Sequence, residues 1–296
     1  MEACETKSCV SIQNILYATD FSPISENAAF YAFELARIYK AKVFALHVRP
    51  IEVYGMAPPE SWPALREAAD EQAKNQAGYL AKRFAGVPHQ AIVAEGDIWE
   101  FVREHIEKDH IDFIVMGTHG RKGLGKVFLG SVAENVLRRV ACPVLTIGPR
   151  VSVSPERAVA MKHILLATSF SSASEAAATY AMSLAQENQA LLDVVHVIEP
   201  RNNGKVGQPS ELTAGCMEQM RSLIPPEAEL WCEPNTIVEV GEPARQILNV
   251  AKARRADLIV LGVKSAEVVP GIGHVPWATA HKIIAGAECP VLTVRG

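Results

Sequence analysis

Short runs of apolar residues alternate along the chain with longer stretches in which apolar and polar positions mix. Ile15 to Thr19, Lys42 to Val48, Gln90 to Ala94, Phe113 to Met116 and Val144 to Ile147 are such runs, four to seven residues long. Runs this short and this apolar suit strands buried on both faces of a parallel sheet. Between them the signals are helical. Ser22-Pro23 reads as an N-cap followed by proline at the first helical position, opening a helix to about Tyr39. Pro58-Pro59 ends a loop before a long amphipathic stretch from Glu60 to Phe84. Gly96-Asp97 turns into a helix over 98–108, and a glycine-rich loop leads into a helix from about Ser131 to Arg139. Five strands separated by helices predict a doubly wound, Rossmann-like parallel α/β sheet. Ligands of such sheets sit beyond the carboxyl ends of the strands, where strand order reverses. The residues just after strands one, two and four are therefore the ones to watch.

The whole pattern occurs twice. NILYATDFS at 14–22 returns as HILLATSFS at 163–171, and His47-Val48 returns as His196-Val197, both at an offset of 149. IDFIVMG at 111–117 returns as ADLIVLG at 256–262, and CPVLT at 142–146 returns unchanged at 289–293. A period near 150 residues is a domain duplication, not a solenoid. The expected domains are 11–149 and 160–296, two tandem five-stranded α/β/α sandwiches. The polar, proline-bearing stretch PRVSVSPERAVA at 149–160 is the expected linker.

Composition narrows the function classes. The chain has 296 residues, 49% hydrophobic and 21% charged, with a net charge of −4. That balance gives no basic face for nucleic acid, but it leaves room for a small anionic ligand held by local donors. The amino terminus lacks a basic n-region and an apolar h-region, and no apolar run approaches the ~20 residues of a membrane span. A cytoplasmic protein is expected. The six cysteines form no C-x-x-C pair, so neither zinc nor redox chemistry is indicated. Cys142 and Cys289 read as buried small residues, and Cys4 and Cys9 as idle tail thiols.

The chemistry concentrates after strand four. Met116-Gly117-Thr118-His119-Gly120 is followed, nine residues on, by Gly130-Ser131, giving G-x-x-G-x9-G-S. Gly117 and Gly120 read as places where backbone must approach a ligand closely. Gly130-Ser131 opens a helix whose first N–H groups lack intrahelical partners and favour phosphate oxygens. Arg121, Lys122 and Lys126 make this loop locally basic. A plain flexible connection, with Ser131 as a mere N-cap, is the competing reading; position, glycine pairs, helix start and charge together favour an anion site. Asp20, at the same edge, reads either as an acceptor for an adenine amino group or ribose hydroxyl, or as a turn residue beside Ser22. Val48 reads either as an apolar wall for a base or as core.

These segments resemble the ATP-binding branch of the universal stress protein family, through the Asp of ATDFS, the HV pair, MGTHG and the complete glycine pattern running into SVAENVLRRVACPVL. The likeness covers both copies. It implies a fold like that of the adenine nucleotide alpha hydrolases. It further implies that Ala18, Thr19 and Asp20 flank the adenosine and that Val48 touches the base. Met116 and Gly117 would sit near ribose and base, with Thr118 and His119 lining the loop. Gly120, Arg121, Lys122, Gly130, Ser131 and Val132 would surround the triphosphate. The resemblance also implies an accompanying divalent ion, magnesium, and pairing of domains through their fifth strands, which two tandem copies can satisfy within one chain. Whether two chains associate as a homodimer, and which protein partner is served, the sequence leaves open.

The second copy departs from this pattern. Gly262-Val263-Lys264-Ser265 lacks the second glycine, Ser169 stands for Asp20, and alignment on CPVLT puts Trp277-Ala278 where Gly130-Ser131 stood. An indole there is expected to occlude the donors, leaving a domain that is mainly structural. Pro270 to Pro276 could instead shape a pocket for another ligand. Three functions compete: an ATP-binding regulatory or stress-response protein, a slow ATPase or nucleotide-dependent enzyme, and a scaffold with a vestigial loop. The missing G-x(4)-G-K-[ST] and G-x-G-x-x-G motifs argue against P-loop phosphoryl transfer and against NAD-dependent dehydrogenation. His119 is the best general-base candidate, although a loop-lining role suits it better.

Overall fold

The computed structural model describes residues 10–49, 58–118, 129–152, 161–200, 209–224, 234–264 and 275–296. The first half runs β1 (Asn14–Ala18), α1 (Pro23–Tyr39), β2 (Lys42–Arg49), a 3-10 turn (Pro59–Ser61), α2 (Trp62–Arg83), β3 (His89–Glu95), α3 (Ile98–Lys108), β4 (Phe113–Gly117), α4 (Ser131–Arg139) and β5 (Val144–Ile147). The second half repeats it as β6 (His163–Ala167), α5 (Ser172–Asn188), β7 (Leu191–Ile198), α6 (Pro209–Ser222), β8 (Asn235–Val240), α7 (Pro243–Arg254), β9 (Leu258–Val263), α8 (Val275–Gly286) and β10 (Val291–Arg295). The α/β class and the repeated strand–helix order are as expected.

The local chemistry of these elements is legible. Ser22 caps α1 by accepting the Ser25 N–H, and Lys40 closes that helix in the left-handed region. Asp97 caps α3 through the N–H groups of Trp99 and Glu100. The strands start in register because two carboxylates pin them. Asp112 accepts the N–H groups of Gln13 and Asn14, and its counterpart Asp257 accepts those of Lys162 and His163.

Strand order is β3-β2-β1-β4-β5-β10-β9-β6-β7-β8 in one ten-stranded sheet. The two expected sheets are thus fused. Every pairing is parallel except that of β5 with β10, where Leu145 lies opposite its repeat equivalent Leu292. A local two-fold relation between the halves passes through that pair. Thr146 Oγ1 donates to Val291 O at 3.0 Å, and Thr293 Oγ1 donates to Val144 O at 3.3 Å. One face of the sheet packs on α1, α2, α5 and α6, the other on α3, α4, α7 and α8. The halves also meet on the first face, where Val10 N–H donates to Ser183 Oγ and the Tyr39 hydroxyl to Glu187.

Two expectations change. The edge strands β3 and β8 are only half buried, because each has one neighbour and thin helix cover. The long helix α2 lies on the surface, as expected, but it buries only Leu80 among its residues, a much narrower apolar stripe than its amphipathic composition suggested.

Candidate functional site

In each half, strand order reverses between the first and fourth strands, and the crevice there is the natural ligand position. In the first half Ala18 and Met116 are partners across β1 and β4 at this point. Both are buried, with Val48 half-buried against the same cluster, on the face that carries α4. The candidate base wall and the candidate phosphate helix therefore share one side of the sheet.

Beyond β1 the chain turns sharply. Thr19 N–H continues the ladder to Leu46 O, and Phe21 takes a left-handed φ of 59°. Asp20 Oδ1 accepts the Ser22 N–H at 3.0 Å, so the turn role of this carboxylate is real. Its position at the sheet edge is unchanged by that bond. His47 Nδ1 lies 2.8 Å from Thr19 O, and its ring packs on Phe21 with centroids 4.6 Å apart. The second half repeats this unit with His196 Nδ1 2.9 Å from Thr168 O and Phe170 against His196 at 4.4 Å. The phenylalanine escaped notice in the sequence. Its recurrence beside the repeated histidine was the available signal, and its role is to brace the turn behind the site.

Beyond β4, Thr118 is fully buried. Its N–H reaches Ile147 O and its carbonyl accepts the Gly130 N–H at 2.8 Å. Gly130 is the N-cap of α4, with extended geometry (φ −63°, ψ 148°) and no side-chain cap bond. Ser131 is therefore not the cap; it is exposed as the first residue inside the helix, followed by the exposed Val132. The first turn of a nine-residue helix thus begins without a side-chain acceptor for its N–H groups. His119, Gly120, Arg121, Lys122 and Lys126 lie outside the described residues, as do Cys4, Cys9, Cys232 and linker residues 153–160.

Gly117 needs a different explanation from the one its motif suggested. A Cβ there would meet Ile24 Cγ2 at 3.1 Å and Ser25 N at 3.2 Å. The space is taken by the first turn of α1, not reserved for a ligand. Gly262 does the same in the second half, where a Cβ would come within 2.5 Å of Ser174 N and closer still to Ala173 O. The surviving first glycine of the second copy is thus a packing glycine.

The second-half crevice differs in kind. Ser169 replaces Asp20, and its hydroxyl lies 3.1 Å from Ser171 Oγ and 3.2 Å from Ser174 Oγ in a neutral cluster. The helix α8 begins at Val275, earlier than the alignment expected, so Trp277 is inside the first turn and not at its cap. Its indole reaches the first half, with the Arg138 guanidinium stacked over it at 5.0 Å. What removes a donor is Pro276, the second residue of α8, which has no N–H. Ser265, Glu267, Pro270 and His274 lie outside the described residues. Burial pushes the thiols of Cys142 and Cys289 up to about 12, which keeps both protonated and unreactive. Among the described residues no group of three potential ligands could hold a metal ion, and no helix is long and apolar enough to cross a membrane.

The model of the universal stress protein family matches residues 11–148 and again 161–295. A universal stress protein of Methanocaldococcus jannaschii is 35% identical over 139 residues, covering 46% of this chain and 81% of its own. Another, from Mycobacterium bovis, is 27% identical over 301 residues, covering 95% of this chain and 96% of its own. Among solved structures, a universal stress protein from Archaeoglobus fulgidus superposes on 95% of this chain and 98% of its own with a TM-score of 0.70. At 20% identity that likeness establishes a common fold.

Proposed function

The chain belongs to the universal stress protein family, and from that premise we propose that its first half binds one adenine nucleotide, ATP, as the regulatory ligand of a stress response. The observation that carries the reading is the start of α4. Nine helical residues begin at the carboxyl edge of the sheet, one strand from the reversal point, with no side-chain cap on the first turn. Outward N–H groups and the positive end of the helix dipole favour a phosphate there. On the same face, Ala18, Val48 and Met116 offer an apolar wall for the base, with Thr19 and Asp20 at the adenosine. Gly117 stays beside Met116 on the ribose and base side, and Gly120, Arg121, Lys122, Gly130, Ser131 and Val132 are assigned to the polyphosphate, with Thr118 and His119 along the loop. A magnesium ion would accompany the bound phosphates. The second half, with a serine cluster for the carboxylate and a proline in the first turn of α8, is assigned no ATP.

Calorimetric titration with ATP tests this, with ADP, AMP and cAMP as competitors and multiple-turnover hydrolysis measured alongside. One site per chain and negligible turnover are expected. Ser131→Ala is the cleanest variant, because the residue is exposed and does not cap the helix. It should leave stability within about 0.5 kcal/mol while weakening ATP about ten- to a hundred-fold, the worth of a hydroxyl bond to a charged group. A wild-type protein that binds no nucleotide, or binds two equivalently, sinks the proposal; rapid turnover turns it into an enzyme.

A further inference from the structure

Two side chains by which the second half departs from the first, Trp277 and His281, reach helix α4 of the first half and the residue before its cap. Trp277, His281 and Ile284 recur at helical spacing and share one face of α8. By the repeat they correspond to Gly130, Glu134 and Leu137 on α4. The Trp277 indole carries the Arg138 guanidinium, which is also bonded to Glu134. His281 Nε2 accepts the Leu129 N–H at 3.4 Å, immediately before the Gly130 cap. At the other end, Arg295 of β10 donates through Nη2 to Leu137 O at 3.2 Å and to Arg138 O. A cation on the last carbonyls stabilises a helix through its dipole. So α4 is held from the second half at its start, along its side and at its end.

From these contacts we infer that the second half is a clamp that preorganises the anion-binding start of α4, with His281 and Arg295 as positioning residues for the nucleotide of the first half. The inference rests on the nucleotide reading above. Its physical content is that the start of α4 has no side-chain cap of its own. Its position is set by Gly130 N–H on Thr118 O and by Leu129 N–H on His281, one bond from each half. A site whose donors are fixed beforehand loses less entropy on binding. A comparable bond at the other helix supplies a control. Arg150 Nη1 donates to Gly286 O at 3.2 Å, so it holds the end of α8.

The experiment uses the full chain. ATP affinity is measured by calorimetry, and amide exchange of α4 is measured in the nucleotide-free protein, for Arg295→Ala, Arg295→Lys, His281→Leu, His281→Gln and Arg150→Ala. Expected are about a ten-fold loss of affinity for Arg295→Ala and a smaller loss for His281→Leu, within the usual range of coupling between sites. Both should show faster exchange over 131–139. Arg295→Lys, which keeps the cation, and His281→Gln, which keeps an acceptor, should recover most of the loss. Arg150→Ala should bind within two-fold of wild type. Should Arg295→Ala fail to fold, the half-exposed His281 pair carries the comparison. Wild-type affinity in Arg295→Ala and His281→Leu overturns the clamp, and so does an equal loss in Arg150→Ala. If the wild type binds no ATP, the nucleotide reading falls by itself, and unchanged exchange of α4 in Arg295→Ala then removes the clamp as well.

Discussion

A methyl group at Gly117 and one at Gly262 would meet the same structural neighbour, the first turn of the helix after the half's first strand, but at different distances. At Gly117 the nearest atoms are 3.1 to 3.3 Å away, and one is the movable Ile24 Cγ2. At Gly262 all three are backbone atoms of Ala173 and Ser174 at 2.5 Å or closer. Overpacking typically costs about 1–3 kcal/mol, whereas alanine for glycine also returns about 0.4–1 kcal/mol by restricting the unfolded chain. Gly117→Ala should therefore change stability by less than about 1 kcal/mol, while Gly262→Ala should lose about 3 kcal/mol. Urea denaturation midpoints check the ranking, and equal losses would show that the two helix–strand contacts do not differ in this way. Gly117→Ala is accordingly a poor probe of nucleotide binding, and Ser131→Ala a good one.

At the scale of elements, caps tie helices to each other as well as to themselves. Glu242 caps α7 by accepting the Arg245 N–H at 2.8 Å, and its other oxygen accepts from Lys282 of α8 at 2.9 Å. The Lys282 bond first, then the Arg245 N–H, hold the Glu242 carboxyl below the usual carboxylate range. A depressed folded pKa means stabilisation that is present above the unfolded pKa, about 4.3, and lost as pH falls through the folded value. The pair is about half exposed or more, so solvent screening limits it to about 1 kcal/mol or less. Lys282→Met should be less stable than wild type at pH 7 and indistinguishable from it near pH 3 in denaturant titrations. A difference that persists in acid would assign the effect to lost packing of the lysine stem.

For the whole molecule, the junction of β5 and β10 turns two domains into one sheet. Leu145 and Leu292 face each other there at 1% exposure, within one apolar cluster. Each truncation to alanine should cost about 2–5 kcal/mol. Because the pair shares one place in the core, the double variant should lose less than the sum, by about 0.5–1 kcal/mol. Denaturant unfolding of the four proteins closes that cycle, and strict additivity would mean the two side chains do not meet. The same junction explains how α8 and β10 can reach α4 at all: the antiparallel pairing sets the last helix of each half beside that of the other.

The sequence by itself determined the class of fold, the repeat and most element boundaries, and it pointed to the crevice proposed here as the site. Ser22-Pro23, Asp97 before Ile98, and Gly130 before Ser131 are local signals, and each acts within a few residues of the atoms it governs. The two-fold repetition of CPVLT even marked the strands that join the halves. Other matters depended on atoms more than a hundred residues apart. Gly117 looked like a ligand glycine because its motif says nothing of Ile24 and Ser25 lying on it. Trp277 looked like a plug in its own domain; the fused sheet turns it onto Arg138 of the other. Periodicity and spacing record which face of an element is apolar. They do not record which neighbour covers that face. That neighbour is chosen by the register of β5 on β10 and the crossing of α4 and α8, and only the tertiary structure holds both.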